Sequence, residues 1–155
     1  MRLKTQELEH VPCSRAHSRS NPMHVQSMIA SRPKMKGAAT DALARCIELC
    51  FDCAQTCVAC AEACLEEKNV ERLRECIRLN LDCADICAAT GAIGSRHAGS
   101  DGASIRAMLR ACAETCRLCA TECERHASQH QHCKICAEVC RACEAACDAA
   151  SPGTH

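Results

Sequence analysis

Eighteen cysteines recur between Cys46 and Cys147 at alternating intervals of three and four residues, with one interval of seven inside a group. They fall into four groups. Cys46, Cys50, Cys53, Cys57, Cys60 and Cys64 form the first, and Cys76, Cys83 and Cys87 the second. The third is Cys112, Cys116, Cys119 and Cys123; the fourth is Cys133, Cys136, Cys140, Cys143 and Cys147. Thiolates are soft ligands, and copper(I) is the soft ion that accepts low coordination numbers. On a helix, residues four apart have Cβ atoms about 5–6 Å apart. With metal–sulfur bonds of about 2.3 Å, a linear S–metal–S unit spans about 4.6 Å. Each Cys-x-x-x-Cys pair, such as Cys46/Cys50 or Cys53/Cys57, is therefore expected to clamp one two-coordinate ion without bending the backbone.

Charge then sets the expected loading. Two separate thiolates per ion would leave each site at −1, and many such charges in one low-dielectric core are very costly. Thiolates that bridge neighbouring ions bring the ratio toward one ion per cysteine and leave the core nearly neutral. The expected loading is on the order of 18 copper(I) ions on that neutrality argument.

The elements that must hold these thiols follow from the spacing. Alternating threes and fours give the 3.5-residue repeat of a helix-bundle seam, not the period of two of a strand. The intervening Ala, Leu, Glu and Arg are good helix formers. Four helices are expected near 40–67, 70–93, 103–128 and 131–149. Thr40 or Asp41 opens the first, Asn69 the second, Asp101–Gly102 marks a turn, and Pro152 follows the last. Short connections at Glu66–Asn69 and Ser128–His130 force sequential helices antiparallel. The fold class is all-α: an antiparallel up-down four-helix bundle with a cysteine-lined core.

The bundle is expected to occupy 23–155, with Met23 to Ser31 forming a short N-terminal helix before Pro33. Residues 1–22, with Pro12, Pro22 and the isolated Cys13, read as a disordered extension, and Met23 is a second candidate start.

Composition agrees with a core of unusual content. The chain has one Phe, no Trp and no Tyr, so its 48% hydrophobic fraction is mostly Ala and Cys. Nineteen Lys plus Arg balance 19 Asp plus Glu, so no net field favours nucleic acid or an anionic membrane. No run approaches the roughly 20 apolar residues of a membrane span, and the opening residues carry no apolar secretory stretch. The expected location is the cytoplasm, where thiols stay reduced and a disulfide framework is disfavoured.

The runs CIELCFDCAQTCVACAEAC at 46–64 and LDCADICAATG at 81–91 resemble the cytosolic bacterial copper storage proteins, cysteine-rich four-helix bundles formerly annotated ferredoxin-like. MHVQSMI at 23–29 is similar to their beginning. The resemblance covers about 23–149. It implies a homotetramer of bundles, copper(I) held along each core, and storage for copper enzymes or detoxification. It also implies that the 18 cysteines from Cys46 to Cys147 are the ligands. Cys13 lies outside the matching region. Asn80 and Thr90 interrupt the seam of the second helix, where metal density should be lower.

Rival readings stay in view. Eighteen cysteines in register are too many to be merely small buried hydrophobes. Zinc prefers closed tetrahedral sites, and four-thiolate sites between helices keep it as an alternative. No C-x2-C-x2-C-x3-C-P run points to an iron–sulfur cluster. A thiol-redox role for Cys133 and Cys136 lacks the surrounding βαβ pattern. No singular nucleophile stands out, so an enzyme is not expected.

His126, His130 and His132 cluster at the turn before the fourth helix, beside Cys123 and Cys133. They are either uptake-site ligands that pass copper to the first thiolates or solvated loop histidines. His97 falls at the opposite end. His24, Met23 and Met28 read either as a soft outer site or as part of a packing helix, and His10, His17 and His155 carry no pattern. The charged residues off the seam fit a solvated or subunit-facing surface, and Phe51 is expected at a helix or subunit contact.

Overall fold

The computed structural model describes residues 24–32, 39–97 and 102–151. Helix α1 spans Val25–Ala30 and α2 spans Ala39–Leu65. A 3-10 turn at Val70–Leu73 leads into α3 at Arg74–His97, followed by α4 at Ala103–His126 and α5 at Gln131–Ala150. No strand occurs among the described residues. Helix α2 packs on α3, α3 on α4, α4 on α5, and α5 returns to α2. The four long helices thus close a ring around one core, as the short connections require.

Every one of the 18 cysteines from Cys46 to Cys147 faces that core, none more than 2% exposed. Leu73, Ile105, Leu109 and a few alanines are the other buried members of the cluster, and the partly buried Leu43, Leu49, Ile77, Ile86, Ile93 and Val139 pack against it. The thiols are the interior. At the end away from the α4–α5 turn, Ile29 of α1 packs with Ala44 and Ile47 of α2 in a small second cluster. Arg32 donates to the carbonyls of Ser95 at 2.6 Å and Arg96 at 3.0 Å, capping the C-terminal end of α3.

The helix ends differ from expectation in physically legible ways. Helix α2 stops two residues early, where the Glu67 N–H turns to the Cys64 carbonyl at 3.3 Å and tightens the last turn. The second long helix opens through the 3-10 turn, and Asn69 makes no side-chain cap there. It also runs on to His97, past the expected 93. Glycine makes that extension fit: a Cβ on Gly94 would sit 2.9 Å from Ile47 Cγ1, and one on Gly91 would sit 3.1 Å from the Phe51 ring. Phe51 therefore packs across the α2–α3 contact, as its position suggested. Helix α4 ends at His126, two residues before the expected boundary. The expected short helix near Met23–Ser31 is α1. The N-terminal extension 1–22, Met23, Cys13, Pro33 and the side chain of His97 lie outside the described residues.

Candidate metal centre

Each cysteine reaches the core because the 3.5-residue repeat keeps it on the inner stripe of its helix. All the described cysteines are free thiols. The sulfurs pair within helices and, more tellingly, between them. Cys46/Cys50, Cys53/Cys57, Cys83/Cys87 and Cys136/Cys140 each stand at 3.9 Å. Across helices, Cys46 lies 3.5 Å from Cys147, Cys87 lies 3.5 Å from Cys116, and Cys53 lies 3.6 Å from Cys140.

These spacings admit more than one coordination number. A linear ion needs sulfurs about 4.6 Å apart, whereas a three-coordinate ion needs about 4.0 Å with the same bond length. The thiols already stand at the shorter spacing, and their nearest partners lie on neighbouring helices as often as on their own. Ligand sets built between helices fit as well as sets built on one helix.

Groups of four sulfurs, all within 4.8 Å of one another, step along the core. One is Cys50, Cys112, Cys143 and Cys147; the next is Cys53, Cys87, Cys116 and Cys143. Then come Cys53, Cys57, Cys83 and Cys140, and after them Cys57, Cys119, Cys136 and Cys140. Cys143, Cys53, Cys57 and Cys140 each belong to two successive groups. A further group, Cys60, Cys64, Cys76 and Cys133, lies at the end near the α4–α5 turn.

Between that end group and the rest stands Asn80, fully buried. Its Nδ2 donates to the Cys76 carbonyl at 2.8 Å and Cys76 Sγ at 3.3 Å, and its Oδ1 accepts from the Cys136 thiol at 2.9 Å. The amide is satisfied by the surrounding thiols. Thr90, at the other interruption, is buried with its hydroxyl unpartnered.

Shared S–H groups split the proton affinities of neighbouring thiols. Hydrogen bonds from Cys147 and Cys50 bring Cys46 down to about 5. Interaction with Cys123 instead holds the proton on Cys133, pushed up to about 12. Burial raises both, because a lone thiolate in this interior is poorly solvated.

At the α4–α5 turn the three histidines separate. His132 Nδ1 faces Cys133 Sγ at 3.4 Å, Cys60 Sγ at 3.6 Å and Cys64 Sγ at 3.8 Å. His130 stacks obliquely beside it, with ring centroids 5.3 Å apart. His126 instead bonds Glu122 Oε1 at 3.1 Å, on the wall of a cleft of about 620 Å³ shared with His130. Two acids outside any sequence motif, Glu67 and the largely buried Glu122, hold these rings. Only their proximity to the histidine-bearing turn could have flagged them. At the other end, His24 and Met28 are exposed and α1 packs through Ile29, which favours the packing-helix reading.

Among the described residues no helix is long and apolar enough to cross a membrane. Residues 39–152 match the family model described as copper storage protein. The copper storage protein of Streptomyces lividans loaded with 10 copper equivalents is 51% identical, with a TM-score of 0.76, over 80% of this chain and 95% of that one. A second structure, of a cytosolic copper storage protein from Streptomyces lividans with five coppers, is 52% identical over 77% of this chain and 100% of that one, with a TM-score of 0.73. The Cu(I)-bound copper storage protein of Bacillus subtilis is 36% identical over 74% of this chain and 100% of that one, with a TM-score of 0.64. No curated protein matches the chain in sequence.

Proposed function

The chain belongs to the copper storage protein family, and from that premise we propose that it stores copper(I) on its 18 core thiolates at about one ion per core cysteine. The observation that carries this reading is the sharing of Cys53, Cys57, Cys140 and Cys143 between successive four-sulfur groups. Isolated zinc sites would each consume four thiolates and leave no sulfur to share. Bridging thiolates use every sulfur more than once, which brings metal and thiolate charges into balance.

Storage needs no turnover, so no catalytic residue is assigned. The cytosolic setting of the Streptomyces relative suits this chain too, since reduced thiols are the form that binds. The homotetramer implied by the family resemblance is part of the same reading. The largely apolar groove between α2 and α3, lined by Phe51, Ala54, Val58, Ala84 and Ala88, supports it. At the mouth, His132, with the His130 ring stacked beside it, receives copper before the thiolates do.

Copper K-edge absorption of the filled protein tests the bridged core. Sulfur neighbours at about 2.3 Å together with short copper–copper scattering are expected. Sulfur neighbours without any metal neighbour would return the core to isolated sites.

A further inference from the structure

We propose that Glu67 is a positioning residue for copper uptake: one of its carboxylate oxygens fixes the ring tautomers of His130 and His132, so that His132 presents a bare nitrogen to the thiols at the mouth. This rests on the reading of His132 as the uptake ligand. Glu67 lies in the connection that follows α2, whereas both histidines sit at the start of α5. The same Oε1 accepts from His130 Nδ1 at 2.8 Å and from His132 Nε2 at 3.3 Å.

A carboxylate oxygen can only accept, so both facing ring nitrogens carry hydrogen. A neutral imidazole carries one N–H, which leaves the other nitrogen of each ring as a lone pair. For His132 that nitrogen is Nδ1, the atom within 3.8 Å of Cys60, Cys64 and Cys133 Sγ. The opposite tautomer would point an N–H at the incoming ion. A carboxylate behind an imidazole also locks its orientation, as outer partners of metal-bound histidines do. Hydrogen bonds from His130 and then His132 hold the Glu67 carboxyl below the usual carboxylate range, so it remains an acceptor.

Glu67 also ties the end of α2 to the start of α5, and the experiment separates that tie from positioning. Reduced, metal-free full-length protein is mixed anaerobically with copper(I) supplied as its acetonitrile complex. Initial uptake rate and final loading are then read for the wild type, Glu67→Gln and His132→Ala. Nitrogen-15 shifts of the histidine rings report the tautomers, and circular dichroism reports the fold.

The proposal expects both variants to slow uptake by at least about tenfold while final loading and helicity stay unchanged. It also expects His132 to be Nε2-protonated in the wild type and mixed in Glu67→Gln. A Glu67→Gln protein that loads at the wild-type rate while His132→Ala is slow overturns the positioning role and leaves the histidine reading standing. A His132→Ala protein that loads at the wild-type rate overturns the histidine reading and this proposal with it. Lost helicity or capacity in Glu67→Gln, with the tautomers unchanged, reduces Glu67 to a structural tie.

Discussion

The thiol of Cys136 donates to Asn80 Oδ1 at 2.9 Å, inside a shell formed otherwise by the sulfurs of Cys60, Cys76, Cys119 and Cys123. An amide thus occupies a place in the row where a thiolate would bridge the end group at the mouth to the groups deeper in the bundle.

Replacing that amide by sulfur should extend the row. Asn80→Cys is expected to raise saturation by about one copper(I) ion, since one more thiolate balances one more charge. Parallel titrations of wild type and variant give the difference directly. An unchanged or lowered capacity would show that the amide is not a gap in the ligand row.

Shared sulfurs should matter more than terminal ones. Cys53 belongs to two four-sulfur groups, whereas Cys46 has its nearest sulfurs in Cys147 at 3.5 Å and Cys50 at 3.9 Å. Cys53→Ser should lower saturation more than Cys46→Ser, since a hydroxyl is a poor ligand for a soft ion and Cys53 serves two groups. Equal losses would contradict bridging at Cys53.

Much of this was legible in the spacing. Threes and fours repeated over 18 cysteines specify both a helix and its inner face, so the bundle and the ligand stripe follow together. The register between helices was not legible. Cys53 and Cys140 stand 87 positions apart, and nothing local tells that their sulfurs lie 3.6 Å from each other. That is why the spacing brought out the pairs within one helix, whereas the close sulfurs between helices needed the fold. Glu67 was hidden for a related reason. A loop glutamate looks solvated until the fold brings the α5 histidines against it. Gly91 and Gly94 let α3 approach α2 closely, a role that only the packed structure shows.

Those two glycines should respond differently to one added methyl group. At Gly94 the methyl would meet Ile47 Cγ1 at 2.9 Å, an inner atom of a fully buried side chain. Gly94→Ala is expected to destabilise the metal-free bundle by about 1–2 kcal/mol, overpacking outweighing helix propensity. Gly91→Ala should stay within about 0.5 kcal/mol of wild type, because the half-exposed Phe51 ring can swing aside and alanine favours the helix. Urea unfolding of the reduced apo-protein measures both. Equal effects would contradict the packing described at Gly94.

Protons should compete with copper at the mouth. Cys133, pushed up to about 12 by its interaction with Cys123, keeps its proton at neutral pH. An ion bound there therefore displaces at least one proton, and its affinity should fall at least about tenfold for each unit by which pH is lowered. Chelator competition between about pH 6.5 and 8.5, with sub-stoichiometric copper, reads the slope. Affinity independent of pH would mean that the mouth thiols are already deprotonated.

The most direct test is an anaerobic copper(I) titration of the fully reduced protein against a chromogenic copper(I) chelator. Saturation on the order of 18 ions, retained against the chelator, is the result expected of a bridged and nearly neutral core. Saturation after about one to four ions would contradict storage and fit a few closed four-thiolate sites instead.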